Sequence, residues 1–336
     1  MKQNLKKILK YLLSASLAVV LMWFSFRGVE WSDFMLQLEQ CNWAFVLLSM
    51  GAGAFAFWLR ALRWRRLLLP LDGSISRTTT FNGINIANIS NFVFPRIGEL
   101  VRCGVIVRRS EPVDSSEPHV KKASYEKVLG TVVLERGWEL LVMLLMLAIV
   151  LVGGFSRYGR FFVDQIWNPM SERLGLGLWL IAAGGLFLTA VGIYLVWRFH
   201  GNNKFCSKVW SVFRGLGQGF LSCLKMDQKW LFFAYTLMIW MTYWLMAACI
   251  MWAAPFLEGL NLVDALFLSL VGGLGFAVPV PGGIGAFHYI ISLALLGIYG
   301  VPMEVGIIYA TLSHTSQAIT QILFGVGSYA YEALKK

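Results

Sequence analysis

Val278-Pro279-Val280-Pro281-Gly282-Gly283-Ile284-Gly285-Ala286-Phe287-His288 lies inside an apolar run that extends from Leu262 to Gly300. Proline removes a backbone donor and glycine admits sharp turns, so these residues break a helix. The run then divides into pieces of about 18 and 14 residues, each short for a full membrane crossing. The surrounding composition identifies the medium as a bilayer. Of 336 residues, 57% are hydrophobic and 14% charged, and the mean hydropathy is +0.64. A soluble domain carries about 25% charged residues. Disorder, collagen and a secreted disulfide scaffold are excluded on the same grounds. Cys41, Cys103, Cys206, Cys223 and Cys249 are scattered, with neither C-x-x-C nor metal-ligand spacing.

Six further stretches read as spans: Leu9–Phe26, Trp43–Leu59, Val128–Val152, Leu176–Trp197, Trp230–Ala253 and Val305–Ala330. A second broken stretch, Thr78 to Val107, is interrupted at Pro95. The expected fold class is an all-α polytopic membrane protein with about eight transmembrane helices and a re-entrant or broken hairpin. The whole chain, 1–336, is read as one integral membrane domain. Within it, residues 199–229 read as an amphipathic interfacial helix, through Phe205, Val209, Phe213, Leu216, Phe220 and Leu224.

The net charge of +11 is topological. Of 29 lysines and arginines, only Arg27, Arg157, Arg160 and Arg173 fall on one side and Arg136 inside a span; the other 24 share the opposite side. The positive-inside rule then places both termini in the cytoplasm of a multi-pass protein of the cell (inner or plasma) membrane. No soluble basic domain remains for nucleic acid. The Thr78–Val107 segment must leave and return on one side, and Leu262–Gly300 on the other.

Polar residues at membrane depth mark candidate sites, because they are costly there. Asn82, Asn85, Asn88 and Asn91 form a stripe that leads to Pro95, Arg96, Gly98, Glu99 and Arg102. The free N–H groups after Pro95, with Arg96 and Arg102, make an anion site that Glu99 would order; arginines snorkelling at an interface also fit. Arg63, with Arg60, Arg65 and Arg66, would grip a lipid phosphate bidentately or serve as a topology signal. Glu135, Arg136 and Glu139 read as a functional group or a buried ion pair. Gly282, Gly283 and Gly285 allow close backbone approach to a ligand, and His288 one turn on fits either proton coupling or packing. Gln317 lies on a polar face of the last span with Tyr309, Ser313, Ser316 and Thr320, beside His314. No metal set, nucleotide motif or nucleophile–base pair is visible, so no cofactor is expected and no catalytic residue is assigned.

The ordered motifs Arg60-Ala61-Leu62-Arg63-Trp64, Pro95-Arg96-x-Gly98-Glu99-x-x-Arg102, Glu135-Arg136 and Pro281-Gly282-Gly283-Ile284-Gly285 resemble the flippase-like integral membrane family. That family includes the membrane domain of lysylphosphatidylglycerol synthases. Where the family usually has an acidic residue shortly after P-G-G-I-G, this sequence has His288. The resemblance implies lipid translocation. The chain ends six residues after its last expected span, which leaves no place for the synthases' aminoacyl-transfer domain. Pro95-Arg96-Ile97-Gly98 also echoes Gly282-Gly283-Ile284-Gly285, as an inverted repeat would.

Three functions are therefore expected in order. The first is a lipid flippase-like protein that translocates or binds an anionic phospholipid or polyprenyl-phosphate-type lipid without ATP. The second is a membrane-embedded transferase or hydrolase acting on a lipid phosphate. The third is a non-transporting partner of a lipid-synthesis enzyme. The partner common to all three is a membrane lipid with an anionic head group, and a homo-oligomer is compatible with each.

Overall fold

The computed structural model describes residues 16–109, 123–201, 203, 206–207, 209–210 and 228–335. Their secondary structure is entirely helical. Most of the expected interfacial helix at 199–229 lies outside the described residues. The chain forms two compact units, Met1–Val132 with Gln228–Lys336, and Val133–Asp227. Among the described residues, four helices are long and apolar enough to cross a membrane: Trp43–Leu68, Tyr125–Gly153, Lys229–Ala253 and Pro281–Tyr299, the last counted from its opening turn.

In the first unit, α1 (Ser16–Phe26) and α2 (Trp31–Glu39) precede α3 (Trp43–Leu68), whose start is capped by Asn42. Next come α4 (Arg77–Val93), capped by Ser76, and α5 (Gly98–Arg109). The start of α6 (Tyr125–Gly153) also belongs here. The second unit contains the rest of α6, two π-helical turns at Phe155–Gly159 and Val163–Trp167, α7 (Asn168–Leu174) and α8 (Leu176–Phe199). Leu180, Leu186, Phe187 and Leu188 of α8 are exposed, as on a helix that faces lipid. The chain returns to the first unit with α9 (Lys229–Ala253), α10 (Leu262–Ala277), α11 (Ala286–Tyr299) and α12 (Met303–Leu334).

Helix α3 packs along α9. The Asn42 N–H bonds the Ala253 carbonyl at one end, at 2.8 Å. At the other end Arg66 bonds Gln228. The two helices are thus antiparallel and define the ends of the first unit. Each broken stretch is a hairpin opening at a different end. Glu332 of α12 joins the hairpin α4–α5 at its open end: Asn82 Nδ2 and Arg109 Nε each donate to its carboxylate at 2.7 Å. That end is the one where α3 finishes, since Arg65 Nε reaches the Ile75 carbonyl just before α4, at 2.7 Å. The hairpin α10–α11 opens at the opposite end, where Trp244 of α9 donates to the Leu262 carbonyl at 2.6 Å and Tyr299 donates to Asp264 at 2.9 Å.

Helices α10 and α11 have 16 and 14 residues, about 24 and 21 Å, against a hydrocarbon core of about 30 Å. Small residues allow close packing. A Cβ on Gly275 would stand 2.8 Å from Phe287 Cα, and one on Gly325 of α12 would stand 2.7 Å from Ile89 Cβ of α4. Helix α12 has 32 residues but does not meet the composition of a lipid-facing span. Its polar side chains Ser313, His314, Ser316 and Thr320 are buried within the unit.

Candidate functional site

The tips of the two hairpins meet. A Cβ on Gly282 would lie 2.6 Å from the Phe92 ring, near the end of α4. From the other direction, Arg96 Nη2 donates to the Ala277 carbonyl at 2.6 Å. That carbonyl ends α10, so the guanidinium lies at the negative pole of the helix. Arg96 is exposed and, among the described residues, it is the non-glycine residue with positive φ, at 62°.

Each tip has a local reason for its shape. Gly98 is required by contact: a Cβ there would lie 2.1 Å from the Ala87 carbonyl oxygen. Its N–H bonds Asn91 Oδ1 at 2.8 Å, which closes the turn around Pro95. In the second tip Gly282, Gly283 and Gly285 have φ of 60°, 76° and 81°, a region that disfavours any residue with a Cβ. Gly283 faces the Phe276 ring rather than open space. Gly282 faces the Phe92 ring in the same way and is half-exposed, whereas Gly283 is buried. Gly285 packs on α1: a Cβ there would lie 2.8 Å from the Ala18 carbonyl oxygen. It stands before α11 without providing a side-chain cap.

Behind the second tip lie two histidines. His314 Nε2 donates to the Gly282 carbonyl at 2.9 Å, which places the tip roughly 17 Å along α12 from Met303, close to half a hydrocarbon core. The His288 ring lies 4.9 Å from His314, centroid to centroid. Phe26, Phe276 and Phe287 surround the pair.

A second group lies one turn along α5. Arg102 is buried, with its guanidinium 4.6 Å over the Trp64 ring. Arg63 is buried beside Phe232, at 5.9 Å. Trp64 is fixed by its own bond to Thr131 Oγ1, at 3.0 Å. Gly83 admits the contact, since a Cβ there would lie 3.3 Å from Trp64 and 3.8 Å from Arg102 Cβ. The asparagine stripe faces inward. Asn82, Asn85 and Asn88 are buried; Asn85 Nδ2 donates to the Phe81 carbonyl at 3.0 Å, while Asn85 Oδ1 and Asn88 Nδ2 have no hydrogen-bond partner among the described residues. Glu99 opens α5, half-buried, in the same region.

Glu135 is buried, and Arg136 pairs with Glu139 at 2.8 Å, all on the part of α6 that belongs to the second unit. Gln317 of α12 donates to Ser313 Oγ of its own helix at 3.3 Å. Sequence reasoning gave no role to Glu332 or Phe92 and left His314 beside the polar face. The sequence does carry a signal for His314, since it lies one helical turn before Gln317. Glu332 gives none, because its partners are about 220–250 positions away.

The family model described as lysylphosphatidylglycerol synthase TM region matches residues 8–325. No curated protein and no solved structure matches the chain.

Proposed function

The chain belongs to the family of lysylphosphatidylglycerol synthase transmembrane regions, and on that premise we propose that it is a lipid flippase-like protein for an anionic head group. The supporting observation is the meeting of the two hairpin tips, with Arg96 bonded across to Ala277 and Gly282 seated on Phe92. Paired broken helices in opposite orientation are how membrane transporters build a substrate site at mid-depth.

In this reading a phosphodiester competes with the Ala277 carbonyl for Arg96. A guanidinium prefers the anion, because charge-assisted bonds are about twice as strong as neutral ones. The start of α11, with no side-chain cap, adds the positive end of a helix dipole. Arg102 lies one turn along α5, towards the open end of the first hairpin, and supports the negative charge by field. Acyl or prenyl tails stay in the bilayer, and no covalent bond changes. By charge bias both termini are cytoplasmic, so the first hairpin opens towards the cytoplasm and the second away from it.

The test is translocation in reconstituted liposomes. Fluorescent phosphatidylglycerol starts in the inner leaflet, and an external quencher reports its arrival outside. The expected result is protein-dependent loss of signal with chemically unchanged lipid. A new lipid product would instead identify a membrane-embedded enzyme, and absence of both translocation and product would overturn the flippase reading.

A further inference from the structure

We propose that His288 and His314 form a proton-binding site linked to the anion held at the hairpin tips, so that lipid phosphate and proton bind together. The inference rests on the lipid reading above and adds what neutralises the head group. The two imidazoles come from different helices, α11 and α12, and are 4% and 6% exposed. Their centroids lie 4.9 Å apart. His314 donates from Nε2 to the Gly282 carbonyl, so Nδ1 is the basic nitrogen of the neutral ring. His288 Nδ1 is buried with no hydrogen-bond partner among the described residues.

The surroundings of the pair are apolar. Helix α1 presents Phe26, α10 presents Phe276 and α11 presents Phe287. Among the described residues, the ionisable group facing His288 from another helix is His314 itself. Asp264 of α10 is bonded to Tyr299 at the far, open end of its hairpin. Arg96, from the first hairpin, reaches only the Ala277 carbonyl. An isolated cation at the pair is therefore costly.

An anion at Gly282 changes that balance. The carbonyl bonded to His314 belongs to the half-exposed residue of the tip, so a phosphate there would stand one backbone carbonyl away from the pair. Its negative charge favours the imidazolium, and the added proton comes from water on the loading side. Linkage is reciprocal: whatever factor the anion adds to proton affinity, the proton adds to anion affinity. A monoanionic phosphodiester with one proton is neutral, so the membrane potential does not oppose its crossing.

The experiment uses the full chain in phosphatidylcholine nanodiscs. Short-chain phosphatidylglycerol is titrated by calorimetry between about pH 5.5 and 8.5, a range that brackets imidazole titration, in buffers of different ionisation enthalpy. The bound state holds the extra proton, so affinity should fall as pH rises, approaching tenfold per pH unit at an uptake of about one proton. His314→Gln keeps an amide donor for Gly282 and should flatten the dependence, as should His288→Asn. Binding without proton uptake overturns the inference and leaves the lipid reading standing. An unchanged pH profile in both variants also overturns it. Absence of lipid binding at every pH overturns the lipid reading itself.

Discussion

Arg96 holds a left-handed backbone that would suit glycine. For a residue with a Cβ this conformation costs about 1–2 kcal/mol, and such strain concentrates where a side chain has work to perform. Arg96→Gly should relieve it while losing the Ala277 bond, so thermal stability should move little. Lipid transport should nevertheless fall. Arg96→Gln separates charge from backbone: loss of a charge-assisted contact should weaken lipid binding by about 1.5–3 kcal/mol. Arg27→Gln, whose guanidinium lies over Trp23, should bind lipid normally in the same titration. Gly283→Leu is a poor probe, because a Cβ at Gly283 would already lie 2.6 Å from the Phe276 ring, and its loss of activity would follow loss of structure.

The hairpins depend on close helix contacts, and α12 offers an internal comparison. A Cβ at Gly325 would meet Ile89 at 2.7 Å and the Asn85 carbonyl oxygen at 3.1 Å, whereas one at Gly327 would meet nothing within 4 Å. Gly325→Leu should push α4 off α12 and lower the melting temperature in detergent clearly. Gly327→Leu should leave it unchanged or slightly raised, since leucine is the better helix former. At the open end of the first hairpin, Glu332→Gln and Arg109→Gln should each destabilise. Their double-mutant cycle should give a coupling of about 0.5–3 kcal/mol. Much of this was legible beforehand. Pro95 and the Pro279–Gly285 run marked both breaks, and charge parity allowed each segment to be either a re-entrant hairpin or a pair of spans that begins and ends on one side. What joins them was not legible. The contacts of Glu332 with Asn82, of Arg96 with Ala277 and of Phe92 with Gly282 link positions far apart in the chain, and no periodicity encodes such pairs. His314 was readable only as one member of a polar face, because its partner is a backbone carbonyl on another hairpin.

The proposed function puts the basic loops and both termini in the cytoplasm. Cysteines introduced at 110–122 and 200–228 should resist membrane-impermeant maleimide in intact cells and react after permeabilisation. Labelling of both segments from outside would invert the orientation. In the proposed function the head group binds where the two hairpin tips meet, while α3, α8 and α9 expose apolar side chains such as Leu47, Leu186 and Leu237. A head group should therefore be found at the tips and tails along the exposed faces. Photo-crosslinking reads this directly. Phosphatidylglycerol with a diazirine on its head group is incorporated with the protein, irradiated and mapped by peptide mass spectrometry. The adduct should fall on residues 92–98 and 279–285 and be lost in Arg96→Gln. A head-group adduct confined to the exposed faces of α3, α8 and α9, and unchanged in Arg96→Gln, would show that the hairpin tips do not bind lipid.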